Sequence, residues 1–130
     1  MILAIYTCLA ILSIVFLQSG IDKVINFKGE KDFVQNHFSK SPLNKISGPL
    51  FVILTLLEIT SGVLSAGGII HLYLHDSVIM ANLANVLSSI TLLSLLLGQR
   101  IAKDYAGAQT IIIYLIPVVL LFITLELYKL

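Results

Sequence analysis

Leu17-Gln18-Ser19-Gly20-Ile21-Asp22-Lys23 is the stretch at which this chain changes solvent. Upstream of it, residues 2 to 21 carry no charge. At a helical rise of 1.5 Å, about 20 residues cover the roughly 30 Å of a bilayer's hydrocarbon core. A first transmembrane span is therefore predicted over about residues 2–22. Gln18 and Asp22 are four apart, as are Ser19 and Lys23, so each pair shares a helix face. The segment that follows, Asp22 to Ser47, is polar and carries Lys23, Lys28, Lys31, Lys40 and Lys45.

Composition points the same way. Of 130 residues, 58% are hydrophobic and 12% charged, against roughly 45–50% and 25% in soluble globular chains. A small domain leaves much of its surface exposed, so that much apolar area needs lipid as part of its solvent. The net charge of +1 and the lack of a basic run with interleaved aromatics exclude nucleic acid as a partner. The single cysteine, Cys8, excludes an intrachain disulfide or a cysteine-based metal site. It is expected to be a small lipid- or helix-facing residue. The N-terminal stretch has no basic segment before its apolar run and no small-x-small cleavage site after it, so it reads as a retained span.

Three more spans follow. The second covers about residues 46–70, with Glu58 near its middle and Ser61, Gly62, Ser65 and Ala66 in small-xxx-small spacing, a pattern that lets helix backbones approach. The third covers about 77–97, with Ala81, Asn85 and Ser88 on one stripe and Ser89 beside it. The fourth covers about 108–127, with Pro117 inside, where a kink is expected. His71 to Asp76 is expected to be a short turn. Between spans one and two, Phe27, Val34 and Phe38 fall near helical spacing, joined by Phe33 and His37. This predicts an amphipathic helix over about Glu30–Ser39, lying on the membrane with its phenylalanines down; an irregular surface loop is the alternative.

The whole chain, 1–130, is thus expected to be one all-α domain, a four-transmembrane-helix up-down bundle with a short interfacial helix. Seven of its eight basic side chains fall in the connections after spans one and three, which places those connections in the cytoplasm and both termini outside it.

Glu58 is the first candidate for chemistry. A carboxylate at mid-bilayer must face the bundle and find a partner. Counting inward from the span ends puts Asn85 at nearly the same depth, so the two are expected to meet. Glu58 is then either a proton carrier or ligand anchor, or a polar clasp between helices. A second candidate is the set Gln18, Asp22, Lys23, Gln99, Arg100 and Asp104 at the cytoplasmic ends. Asp22–Arg100 or Lys23–Asp104 pairing would lock that face; alternatively the set binds a polar headgroup or a quinone ring. His71 and His75 are four apart, which is too little for a metal site, and none is expected. No nucleophile triad, metalloprotease motif or phosphate loop occurs.

Three blocks carry a resemblance. Phe16-Leu-Gln-Ser-Gly-Ile-Asp-Lys23, Glu58 followed by Gly62, and Gly98-Gln-Arg-Ile-Ala-Lys-Asp-Tyr-Ala-Gly-Ala-Gln109 resemble the DoxX-like family of small four-helix membrane proteins. The resemblance implies a bacterial inner-membrane protein linked with quinone-dependent oxidoreductase complexes, with quinone as the candidate ligand and the bilayer and other membrane subunits, or further copies of itself, as partners. It implies no agreed catalytic residues, so the chain is not expected to be catalytic alone. The alternative function is an assembly factor or structural partner that binds other membrane helices through Ser61–Ala66. A transporter is a weaker third reading, since no broken helix pair accompanies the buried acid.

Overall fold

A computed structural model describes residues 1–129. Its helices are α1 (Ile2–Ile25), α2 (Phe27–His37), α3 (Ser47–His75), α4 (Ile79–Ile101) and α5 (Tyr105–Lys129), with a 3-10 turn at Asn44–Ile46 before α3. Among the described residues there is no strand. Four of the helices, α1, α3, α4 and α5, are long and apolar enough to cross a membrane.

Each long helix ends somewhat past the apolar stretch that predicts it. Nothing between Ile70 and His75 breaks a helix, so the expected turn at His71–Asp76 does not form there. Instead α3 continues to His75 and closes on Asp76, whose left-handed backbone (φ 48°) ends the helix, its N–H bonding the Leu72 carbonyl. The connection to α4 is only Asp76–Val78. At the start of α5 the Asp104 carboxylate accepts the Gly107 N–H at 2.9 Å, an N-cap that starts the helix three residues before the predicted Ala108. α5 continues unbroken past Pro117. The short helix starts at Phe27 and ends at His37, earlier at both ends than the expected Glu30–Ser39.

The four long helices close a ring. α1 packs on α3 and α5, and α4 packs on the same two helices. Between α1 and α3 the approach is close because glycine stands on each side. A Cβ on Gly20 would sit 2.6 Å from Ile59 Cγ1, and one on Gly62 would sit 2.8 Å from Leu17 Cγ. Residue numbers rise along α1 as they fall along α3. The same holds for α3 and α4, where Ser61 Oγ lies 3.2 Å from Thr91 Oγ1 and Gly68 abuts Ala81.

Apolar side chains fill one end of the ring, with Ile5, Leu9, Leu12, Leu72, Leu121 and Leu125 buried there; Cys8 is buried beside them. A polar seam of Ser61, Ser65, Asn85, Ser88 and Thr91 is buried on α3 and α4. The serine and threonine hydroxyls of this seam bond mostly to carbonyls one turn back, as Ser65 does to Ser61 and Ser88 to Ala84. They are thereby satisfied without water. α2 leans on the other end. Phe27 meets Phe51 edge to face at 5.3 Å between ring centres. Phe33 is 66% exposed, while Val34 and, just past the helix, Phe38 turn partly inward.

Candidate functional site

Glu58 is 3% exposed and takes its partners from α1. Lys23 Nζ donates to Glu58 Oε2 at 3.0 Å and to Oε1 at 3.3 Å, and to Ser19 Oγ at 2.7 Å. Ser19 Oγ in turn donates to Glu58 Oε2 at 2.7 Å. An ammonium has three N–H donors and no acceptor, and its contacts hold Lys23 between Ser19 and Glu58. The i, i+4 spacing of Ser19 and Lys23 aims both at one carboxylate.

The expected Glu58–Asn85 contact is not made. Asn85 Nδ2 donates to the Val118 carbonyl of α5 at 3.0 Å, and its Oδ1 is buried with no partner among the described residues. The cause is register. The Ser61–Thr91 and Gly68–Ala81 contacts place Asn85 level with the segment between Ser61 and Gly68, about two turns further along α3 than Glu58. The expected pairing counts depth from the charged ends of the second and third spans, about residues 46 and 97; there α4 runs on to Ile101 while α3 starts at Ser47, so equal counts do not mark equal levels.

Neither expected lock at the charged end forms. Lys23 is held by Glu58. Asp104 pairs with His37, with His37 Nε2 3.2 Å from Asp104 Oδ2. That contact ties α2 to the turn between α4 and α5. Arg100 stacks on Tyr105, with Cζ 4.6 Å from the ring centre. Asp22 takes part in none of the ion pairs among the described residues.

Of the cavities at this end, two have lining residues in common. One, about 450 Å³, is lined by Gln18, Ser19, Asp22, Lys23, Glu30, Glu58 and Gln99, and by apolar groups including Phe16, Leu92 and Tyr114. The other, about 520 Å³, lies beneath α2. Its walls are mainly apolar, with Phe38, Leu50, Phe51, Leu54 and Leu97 among them. Lys23, Glu30, Leu95 and Gln99 line both. The cavities therefore meet along a shared wall, polar on one side and oily on the other.

Of the candidate residues, Gln18, Asp22, Lys23 and Gln99 line the polar cavity, and Glu58 lies at its wall. Asp104 borders the apolar one, and Arg100 borders neither. Sequence reasoning missed Glu30 and Tyr114. Glu30 had a signal, since it stands four residues before Val34 and eight before Phe38, on the face that turns inward. Tyr114 had none beyond its place in the fourth span.

The small residues of α3 are used within the chain. Gly62 meets Leu17, Ser61 meets Thr91 and Ser65 is fully buried, while Ala66 is half-buried. At the other end His71 and His75 lie 4.9 Å apart between ring centres, and the Tyr128 hydroxyl donates to Asp76. Among the described residues no three metal-binding side chains gather.

No family model matches the chain, and neither a curated protein nor a solved structure matches it.

Proposed function

We propose that this chain is an integral membrane protein of the DoxX-like type that binds a lipid-soluble ligand of the quinone class at its charged end, and serves a quinone-linked redox complex of the bacterial inner membrane. In this reading the long helices form an up-down bundle. α2 and the α4–α5 turn lie on the cytoplasmic side with the lysine-bearing connection, and both termini lie opposite.

One observation carries the ligand reading: a polar cavity and an apolar one share Lys23, Glu30, Leu95 and Gln99. Ligand sites are concave and largely apolar, with a few convergent polar groups that orient the ligand. A ring bearing oxygens fits the first cavity and a hydrocarbon chain the second. No redox-active centre is supplied by the side chains, so the protein holds the ligand for a partner. The alternative, an interaction protein working through Ser61–Ala66, is weakened because most of that stripe already packs against helices of the same chain.

The test is thermal unfolding in nanodiscs with decylubiquinone. At a hundredfold excess over Kd, stabilisation of about 2.7 kcal/mol is expected. Leu95→Trp, which places an indole where the cavities meet, should abolish that stabilisation. Equal stabilisation of both proteins, or none of the wild type, refutes the reading.

A further inference from the structure

We infer that the polar cavity selects the reduced, hydroxyl-bearing form of its ligand, a quinol over the corresponding quinone; the inference rests on the function proposed for the same cavity. A quinone ring offers only carbonyl acceptors, whereas a quinol offers two O–H donors. The preference therefore depends on which groups of the cavity remain free to bond.

The donors nearest the buried acid are taken. Every side-chain hydrogen bond of Lys23 goes to Ser19 or Glu58, and the Ser19 hydroxyl donates to Glu58. The charged groups that remain free are acceptors. Asp22 and Glu30 belong to no ion pair among the described residues. Gln99 Oε1 is buried without a partner among them. The charge count agrees: Asp22, Glu30 and Glu58 set three carboxylates against the one ammonium of Lys23 on the wall. With Glu58 and Lys23 neutralising each other, Asp22 and Glu30 leave the cavity negative. A negative wall with free acceptors favours a ligand that donates and opposes one that can only accept. A carbonyl oxygen facing a carboxylate has no hydrogen to share, while a phenolic O–H makes a charge-assisted bond, roughly twice as strong as a neutral one. The amides of Gln18 and Gln99 and the Tyr114 hydroxyl can still donate, so the oxidised form is held more weakly and not excluded.

One charge-assisted bond made by the quinol and not by the quinone is worth about tenfold to a hundredfold in affinity. By linkage, tighter binding of the reduced form raises the midpoint potential of the bound couple. Tenfold corresponds to about 30 mV for two electrons.

The experiment is anaerobic calorimetric titration of the full chain in nanodiscs with decylubiquinol and with decylubiquinone. The expected result is a Kd at least about tenfold lower for the quinol. The paired variant Asp22→Asn/Glu30→Gln should bring the two values to within about threefold of each other, chiefly by weakening the quinol. Equal affinity for the two forms in the wild type, tighter binding of the quinone, or an undiminished preference in the paired variant overturns the inference while the ligand reading stands. Binding of neither form overturns both.

Discussion

Replacing Lys23 with methionine removes the one cation facing a carboxylate that is 3% exposed. Of the two side chains that bond Glu58, only the Ser19 hydroxyl then remains. Breaking a buried pair from one side destabilises by about 3–5 kcal/mol, because a buried charge loses its compensation. The opposite change, Glu58→Met, is milder. Lys23 is 18% exposed, and its stem lets the ammonium swing toward water, so about 1–2 kcal/mol is expected from lost hydrogen bonds. The double variant Lys23→Met/Glu58→Met leaves no charge to strand. Apolar replacement of a buried pair is often neutral, so it should unfold within about 1–2 kcal/mol of the wild type. The cycle therefore closes with a coupling energy of at least about 2 kcal/mol. Reversible unfolding in mixed micelles titrated with dodecyl sulfate, followed by circular dichroism, measures all four proteins. If Lys23→Met costs less than about 1 kcal/mol, or if the double variant equals the sum of the singles, the pair does not hold α1 to α3.

Gly62→Ala should destabilise by about 1–3 kcal/mol, and by more than Gly20→Ala. The new methyl at Gly62 meets the Leu17 backbone nitrogen at 3.0 Å as well as its side chain, whereas at Gly20 the backbone stands further off, with Ile59 N at 3.3 Å, and the sub-3 Å contact is to a side-chain carbon, Ile59 Cγ1; denaturation midpoints compare the two. Asn85→Leu removes one hydrogen bond and one unpartnered buried oxygen together, so its unfolding free energy should stay within about 1 kcal/mol of the wild type. His37→Ala should leave the melting temperature nearly unchanged, because a partly exposed pair contributes under about 1 kcal/mol. Amide exchange across Phe27–His37 should nonetheless accelerate, and unchanged exchange would show that α2 is held by its aromatic contacts alone. A cysteine introduced as Lys40→Cys in a Cys8→Ser background should react with an impermeant maleimide only from the cytoplasmic side.

The number and place of the long helices were legible because long apolar runs, the second with Glu58 near its middle, are set apart by polar connections that carry lysines after the first and third runs. Their ends were harder to read. His71 and His75 look like turn residues, yet neither breaks a helix, and the real stop at Asp76 depends on a backbone conformation that composition does not reveal. At the charged end α4 likewise runs past the predicted residue 97, to Ile101, and that is the end from which the depth of Glu58 and Asn85 is counted. An acid's depth can be counted only once the register between helices is fixed, and register depends on glycine contacts such as Gly68 with Ala81. The true partner was within reach. Ser19 and Lys23 share a face at the end of the first span, and a lysine there can reach a carboxylate lying one to two turns inside. The polar cavity gathers four of the six residues proposed for the charged end, because helix ends collect their polar groups in one layer. The exceptions are local matters: Asp104 serves as a helix cap and holds His37, and Arg100 finds an aromatic face nearby in the chain.

The tie between Lys23 and Glu58 also bears on how such a chain is made. An acid inside a span is unfavourable on insertion scales, less so toward its end than at its centre, and Glu58 brings that cost to α3 if α3 leaves the translocon by itself. Its neutralising cation sits on α1, the long helix synthesised before it. For a chain inserted as proposed above, α1 is expected to linger beside the channel until α3 emerges, so that the two enter lipid as a hairpin already joined. A ribosome-bound chain arrested after α3 should show these two helices adjacent before α4 exists.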